Sequence, residues 1–360
     1  MSTTRAPFSR RSFLTRSGLL LVGAAGGTSL LAACSDAARE ANASGNGAGS
    51  TAGPTEALSL QLGWLISEGQ LGEAVALSKG WYADNGIELS ISPGGPSIDG
   101  VALVGGGQHD LGEVSSSPSL MLARSQGVPV KAFAVGVQEH PYAYVSLPDN
   151  PVNEPKDLIG KKVGTQATGQ VLLSALLAKN DIDPGDVEVV VIGADVAPLT
   201  TGQVDVWTGW LSNTTAMRPL GGDYVSMRLW DAGIQLYGYP YYATDDTLEQ
   251  KGELVEKWVS ATAAGWLYAR ENLEEAAQAV VELQPTLVAD DIKEQGEVLL
   301  EYAFSKATDE NGWGAMDADV WQSQIDTWAE LGQFKGAAPT VEEVVTFDVL
   351  DATADDRKSA

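Results

Sequence analysis

Residues 105–118, GGGQHDLGEVSSSP, set an acid and three hydroxyls at the end of a short apolar pulse. Glu113 can accept hydrogen bonds from N–H groups, while Ser115, Ser116 and Ser117 offer hydroxyls and backbone donors. That combination suits reading the polar edge of a small molecule. Signs of catalysis are weak by comparison. With two histidines, His109 and His140, and one cysteine, a metal site of histidines and cysteines is not available. His109 stands beside Asp110 in a turn and reads as a surface residue rather than a general base. There is no Gly-x-Ser-x-Gly elbow, no P-loop and no Gly-x-Gly-x-x-Gly after a strand. Among 48 acids, paired carboxylates carry no information. A binding protein without metal or cofactor is expected, not an enzyme.

The elements that must hold these residues alternate between strand and helix. Residues 58–64 alternate as a strand, 70–83 read as a helix closing at Asn85-Gly86, and 87–91 form a second strand. Helical spacing over 98–107 leads to a strand at 110–114, then a helix from Ser117 with Pro118 in its first turn, then a strand at 128–137. A second series follows, with a helix at 169–180, a buried-type strand at 187–192, a helix at 195–202 and a strand at 204–208. Past Gly238 the chain reads as helical over 250–270, 271–283, 290–305 and 317–331. This alternation predicts an α/β fold with mostly parallel strands. Gly107-Gln108-His109-Asp110 returns as Gly202-Gln203-Val204-Asp205, as two lobes built on one plan would require.

Parallel α/β sheets bind ligands outside the carboxyl ends of their strands. Collecting those ends brings together Trp64, Glu113 with Ser115 and Ser116, Gln138, Gln166 with Thr168, and Trp207 and Trp210 with Asn213. Trp64, Trp207 and Trp210 are candidate stacking plates, and Gln70, Glu113, Gln138, Gln166 and Asn213 are candidate readers of a ring edge. Each tryptophan alone reads as readily as core packing, and the serines as a helix cap. Together they favour a neutral or cationic nitrogen heterocycle.

Residues 1–33 read as an export signal. Ser9-Arg10-Arg11-Ser12-Phe13-Leu14 is a twin-arginine motif, and the run 19–33 is too short and too rich in Gly and Ala for a stable membrane helix. Leu31-Ala32-Ala33-Cys34 resembles a lipobox, so Cys34 is the expected lipidation site, anchoring the protein at the extracytoplasmic face of a bacterial cell membrane. Residues 34–56 are small and polar, the composition of a flexible tether. The formal charge of −26 becomes −30 without residues 1–33, which hold four arginines and no acid. Such a surface argues against nucleic acid and against anionic headgroups. A monomer is the expected state.

Several stretches resemble a known family. Gly63-Trp64 through Gly72, Lys79-Gly80-Trp81-Tyr82 and Asn85-Gly86-Ile87 are similar to the opening of the thiamine-pyrimidine-precursor binding proteins. These group with the nitrate/sulfonate/taurine substrate-binding proteins of ABC importers, which are type II periplasmic binding proteins. Gln126-Gly127-Val128-Pro129-Val130, Pro155-Lys156-Asp157-Leu158-Ile159-Gly160, Gly202-Gln203-Val204-Asp205 and Gly265-Trp266 continue the likeness. It implies a two-lobed periplasmic-binding-protein fold, each lobe a mostly parallel sheet flanked by helices, with a helical C-terminal tail. Residues 57–139 with 238–350 would form one lobe and 140–237 the other, the chain crossing near 138–143 and 234–240. Tyr237 and Tyr239 would line the returning strand. The lobes would close on a small-molecule ligand and dock on a permease driven by an ATPase.

Pyrimidine-binding relatives carry Trp-x-Pro-Asn-x-x-His at the first strand end. Here Trp64 is kept, but Ile66, Ser67 and Gln70 replace the proline, asparagine and histidine. The expected ligand is therefore an aromatic nitrogen heterocycle, either a thiamine pyrimidine precursor or a flavin-like vitamin such as riboflavin. One alternative is a sulfonate, nitrate or taurine-like anion, for which Arg124 and Arg218 are the nearest cations in sequence. Another is an enzyme like the pyrimidine synthases of fungi, against which the export signal and the scarcity of histidine argue.

Overall fold

The computed structural model describes residues 55–95 and 97–358. The expected export signal, Cys34 and nearly all of the expected tether lie outside the described residues. In chain order the elements are β1 (Glu56–Gln61), α1 (Leu71–Ser78), α2 (Trp81–Asp84), β2 (Ile87–Ser92), α3 (Gly100–Gly105), β3 (Leu111–Glu113), α4 (Pro118–Ser125) and β4 (Val130–Val137). Then come β5 (Tyr142–Ser146), β6 (Lys162–Thr165), α5 (Gln170–Lys179), β7 (Glu188–Val191), α6 (Ala197–Thr200), β8 (Val206–Trp210), α7 (Thr214–Met217) and β9 (Val225–Arg228). The chain closes with β10 (Gly238–Thr244), α8 (Asp245–Glu271), α9 (Leu273–Leu283), α10 (Ala289–Ala303), α11 (Lys306–Asn311), α12 (Ala318–Glu330), α13 (Val341–Val344) and α14 (Asp348–Ala352).

Two five-stranded sheets result, in the orders β2-β1-β3-β10-β4 and β7-β6-β8-β5-β9. The two orders share one plan. In the first sheet β2, β1 and β3 pair in parallel and β10 runs against both β3 and β4. In the second, β7, β6 and β8 pair in parallel and β5 runs against both β8 and β9. The reversed strand is fourth in each, and each is the strand that follows a crossing between sheets, at 138–141 and 229–237.

The repeated Gly-Gln-x-Asp phrase has a mechanical role in this plan. Gly107 and Gly202 both take left-handed φ, +73° and +71°, in the turns that lead to β3 and β8. Asp110 Oδ2 then accepts from the backbone N–H of Ser59 on β1 (2.9 Å), and Asp205 Oδ2 from that of Lys162 on β6 (2.8 Å). Each aspartate staples its strand to the parallel neighbour.

Helices α8, α9 and α10 fold back over the first sheet and pack on and around α1. The closest approach is between glycines. A Cβ on Gly265 of α8 would fall on the Gly72 carbonyl oxygen, and one on Gly72 would fall within the Trp266 ring. Helix α12 takes a different position, packing against α4 beside the first sheet and α5 beside the second. The apolar cluster holding Trp321, Ile325 and Trp328 accordingly includes Leu120 and Val130 from one sheet and Val163 and Leu172 from the other.

Four sequence expectations change in detail. The helix expected over 70–83 breaks at Gly80, whose φ of +78° starts the separate turn α2. The strand expected over 187–192 is an exposed edge rather than a buried strand: it pairs only with β6, and Val191 is 64% exposed. The strand expected over 204–208 runs two residues later, as β8. The stretch past Gly238 is first the fully buried strand β10, and only then helix, started by Thr244, whose side chain accepts from the Thr247 N–H.

Within this core α1 buries an acid. Glu73 accepts from the Tyr241 hydroxyl (2.5 Å), and its other oxygen has no partner among the described residues. Burial pushes its carboxyl from the ordinary 4.5 up to about 7, against a smaller opposing pull from Tyr241. The folded protein therefore holds a proton there that the unfolded chain releases between those values. Stability should be fully present below pH 4.5 and fall by of order 3 kcal/mol as pH rises toward 7. A thermal-melting series from pH 5 to 8 should show falling midpoints, with a shallower slope in Glu73→Gln. Separately, Gly265→Ala should cost about 1–3 kcal/mol in urea denaturation, because two backbones would have to separate.

Candidate ligand-binding site

Glu113 ends β3 and pairs in register with Tyr241 of β10. Its side chain is 1% exposed. One oxygen accepts from Gln70 Nε2 at 3.2 Å, and the other, Oε1, has no partner among the described residues. Gln70 is held in place because its own Oε1 accepts from the Ser67 N–H (3.0 Å), in a capping box at the turn 68–70. Burial, followed by the negative charge of Glu73, raises the Glu113 carboxyl well above the usual carboxylate range. Glu68 is raised too, first by burial, with the Ser212 hydroxyl from beyond β8 pulling it back. No basic side chain contributes to any of these shifts. With no cation beside them these acids are held toward the neutral form, and N–H donors or positive charge brought close to them would favour their ionisation.

Aromatic rings stand beside these acids. Trp210, the last residue of β8, lies 4.8 Å from the Tyr239 ring and 4.9 Å from the His140 ring, between centroids. Tyr239 has φ of +47°, a left-handed backbone rarely adopted by a bulky residue. That conformation directs its ring between Trp210 and Gly69, where any Cβ on Gly69 would strike the phenol. The charges of Glu68 and Glu113 both act on the Tyr239 hydroxyl, after burial, to raise its pKa well beyond the usual phenol value. Residues from both sheets thus converge on Tyr239.

The other sequence candidates divide. Ser115 and Ser116 are half-buried just past β3, and Ser116 bridges to Gly238 at the start of β10. Ser117 begins α4 without capping it and donates instead to Gln324 of α12. Trp64 is half-buried on the segment after β1, where its carbonyl accepts from the Gly94 N–H. Trp207 goes elsewhere: it faces the opposite side of β8 from Trp210, in the core with Val145 and Leu199. Gln138 is turned toward the C-terminal segment, donating to the Ala315 carbonyl (2.9 Å). Tyr237 accepts from the Asp317 N–H (3.0 Å) and packs on Trp321, so it ties the second crossing to α12. Asn213 caps α7, accepting from the Ala216 N–H and the Thr215 hydroxyl. Gln166 is half-buried and Thr168 exposed, on the loop between β6 and α5. Glu68, Ser212 and His140 join the site without having been singled out. The visible signal for His140 was its place beside Pro141 at the expected crossing.

Neither candidate arginine for an anion is free. Arg124 pairs with Asp245 at 2.8 Å. Arg218 reaches from the end of α7 to Asp291 (2.7 Å) and Glu294 (2.9 Å) on α10. Gln295 of α10 donates to Thr215 of α7 at 2.7 Å, so the same two helices are tied twice, across the two sheets.

The comparisons agree with this architecture. A 4-amino-5-hydroxymethyl-2-methylpyrimidine phosphate synthase of Legionella pneumophila is 27% identical, over 64% of this chain and 74% of its own. The formylaminopyrimidine-binding protein of Halalkalibacterium halodurans is 25% identical over 76% of this chain and 85% of its own. A riboflavin-binding protein of Chloroflexus aurantiacus is 27% identical over 69% and 73%. Among solved structures, the periplasmic aliphatic sulphonate binding protein of Escherichia coli superposes with a TM-score of 0.61 at 18% identity, over 81% of this chain and 92% of its own. The fold is therefore the two-lobed α/β fold of periplasmic binding proteins. Residues 70–276 match the family described as NMT1/THI5 like, and the chain belongs to that family.

Proposed function

We propose that this protein is the extracytoplasmic, lipid-anchored solute-binding component of an ABC importer. It captures a small aromatic nitrogen heterocycle, a thiamine pyrimidine precursor or a flavin-like vitamin, and hands it to a permease driven by an ATPase. Residues 57–139 with 238–350 act as one lobe and 140–237 as the other, and Cys34 carries the lipid. The observation that carries the reading is the buried Glu113 carboxylate, with one oxygen unpaired and no cation acting on it, close to the Trp210–Tyr239 pair. Relatives that bind formylaminopyrimidine and riboflavin lend support to the ligand class. The two arginines considered for a sulfonate or nitrate, Arg124 and Arg218, are already paired with acids.

A synthase is the second reading, favoured by the Legionella relative. Gln70 stands where pyrimidine-binding relatives carry histidine, and it is committed to Ser67 and Glu113. Quantitative recovery of unchanged pyrimidine after incubation would exclude turnover.

A thermal-shift screen of the chain lacking residues 1–34 tests the reading against pyrimidines, flavins, sulfonates and nitrate. A heterocycle at a hundred times its dissociation constant should add about 2.7 kcal/mol of stability. A response to anions alone would overturn the ligand class. Trp210→Ala and Trp64→Ala should each weaken heterocycle binding by roughly tenfold or more in calorimetric titration, through lost stacking and burial. Unchanged affinity would return that tryptophan to a packing role.

A further inference from the structure

His140 lies in the first crossing between the sheets, with its backbone N–H bonded to the Leu236 carbonyl of the second crossing (3.1 Å). Its side chain is 1% exposed, and neither ring nitrogen makes a well-formed hydrogen bond among the described residues, though the Ser115 backbone is close enough to act on one of them. Burial, against a weaker pull from the Ser115 backbone, lowers its pKa to about 3, so the ring is neutral and offers one N–H donor and one lone pair. Packing alone gives no reason for that polarity. A phenyl ring would fill the space between Trp210 (4.9 Å) and Tyr142 (6.0 Å) without stranding two nitrogens. The nitrogens lie beside the candidate site: Ser115 acts on one side, the Trp210 plate lies on another, and Glu113 Oε1 is among the other buried polar atoms without a partner among the described residues.

We propose that His140 is a ligand-reading residue, presenting a neutral imidazole donor and acceptor to an uncharged heterocycle whose edge carries N–H donors next to acceptor nitrogens or carbonyls. This rests on the binding-protein reading and sharpens it. Glu113 accepts from the ligand's N–H groups, and His140 complements the acceptors beside them.

Two variants test the proposal, with 4-amino-5-hydroxymethyl-2-methylpyrimidine and riboflavin as probes. His140→Phe keeps the ring and removes both nitrogens; His140→Gln keeps a donor and an acceptor. The expected result is a weakening of about tenfold or more in His140→Phe by calorimetric titration, with a melting midpoint equal to or above that of the wild type. That split is one that a structural role would not produce. Affinity in His140→Phe within about twofold of the wild type overturns the role of His140 alone. If His140→Phe fails to fold, His140→Gln decides: affinity near that of the wild type upholds the proposal, and a loss of about tenfold or more with an intact midpoint overturns it. If the wild-type protein binds neither probe, the heterocycle reading itself fails, and this inference falls with it.

Discussion

Glu68, Glu73 and Glu113 are buried in one region of the first lobe, and a charge on Glu73 raises the cost of charging Glu113. Burial takes them out of solvent and no guanidinium or ammonium compensates, so the surrounding fold must tolerate acids that keep their protons unusually long. It does so with tyrosines and one glutamine. Tyr241 donates to Glu73, Gln70 donates to Glu113, and Tyr239 stands where the fields of Glu68 and Glu113 meet. Nearly every neighbour is a donor or a polarisable ring. The pairing is incomplete, because Glu73 and Glu113 each retain an oxygen without a partner. In the protein core that is a cost.

The strand plan explains why the acids meet the rings there. β10 and β5 are the reversed strands, and each begins just after the chain has crossed between sheets. Their starts therefore lie side by side, and the residues that flank them belong to both lobes. Tyr239 comes from one start, His140 precedes the other, and Trp210 is delivered by β8, which pairs with β5 through Tyr142. The left-handed backbone at Tyr239 belongs to the same junction. Gly238 bridges to Ser116, and the next residue must turn its ring away from Gly136 toward Trp210. Helix α12 joins the two sheets' surroundings, since it packs on α4 and α5 and holds Tyr237 against Trp321.

Much of this was legible from spacing. The parallel strands β1, β2, β3 and β8 follow from apolar runs punctuated by glycine, and the Gly-Gln-x-Asp echo marks the two lobes because both require the same turn and the same staple. Strands β5 and β10 were harder to read, since buried on both faces they show no alternation that would separate strand from helix. The site residues divide along a similar line. Glu113 and Trp210 end strands and could be found from that fact alone. Trp207 is three positions earlier and opposite in facing, and a two-residue error in the register of β8 was enough to make it look equivalent. Gln138 and Tyr237 are polar groups at the crossings whose partners, Ala315 and Asp317, lie far along the chain, where local pattern carries no signal.

The same reasoning bears on which ligand chemistry the family's fold has been adapted to here. A sulfonate-binding neighbour shares the fold at 18% identity, so the lobes themselves do not dictate charge. Charge preference must come from the few side chains at the crossings. Here the two arginines in question are spent on Asp245, Asp291 and Glu294, outside the acid cluster. Arg218 in particular joins α7 to α10, where its charge helps hold the lobes together rather than reaching a ligand. A chain with an overall charge of −26 thus commits these cations to structure and leaves the buried interior between its lobes acidic. On the proposed reading, selection against an anion rests on the lack of any cation acting on Glu68, Glu73 and Glu113, and a heterocycle with N–H donors would meet acceptors and aromatic faces in place.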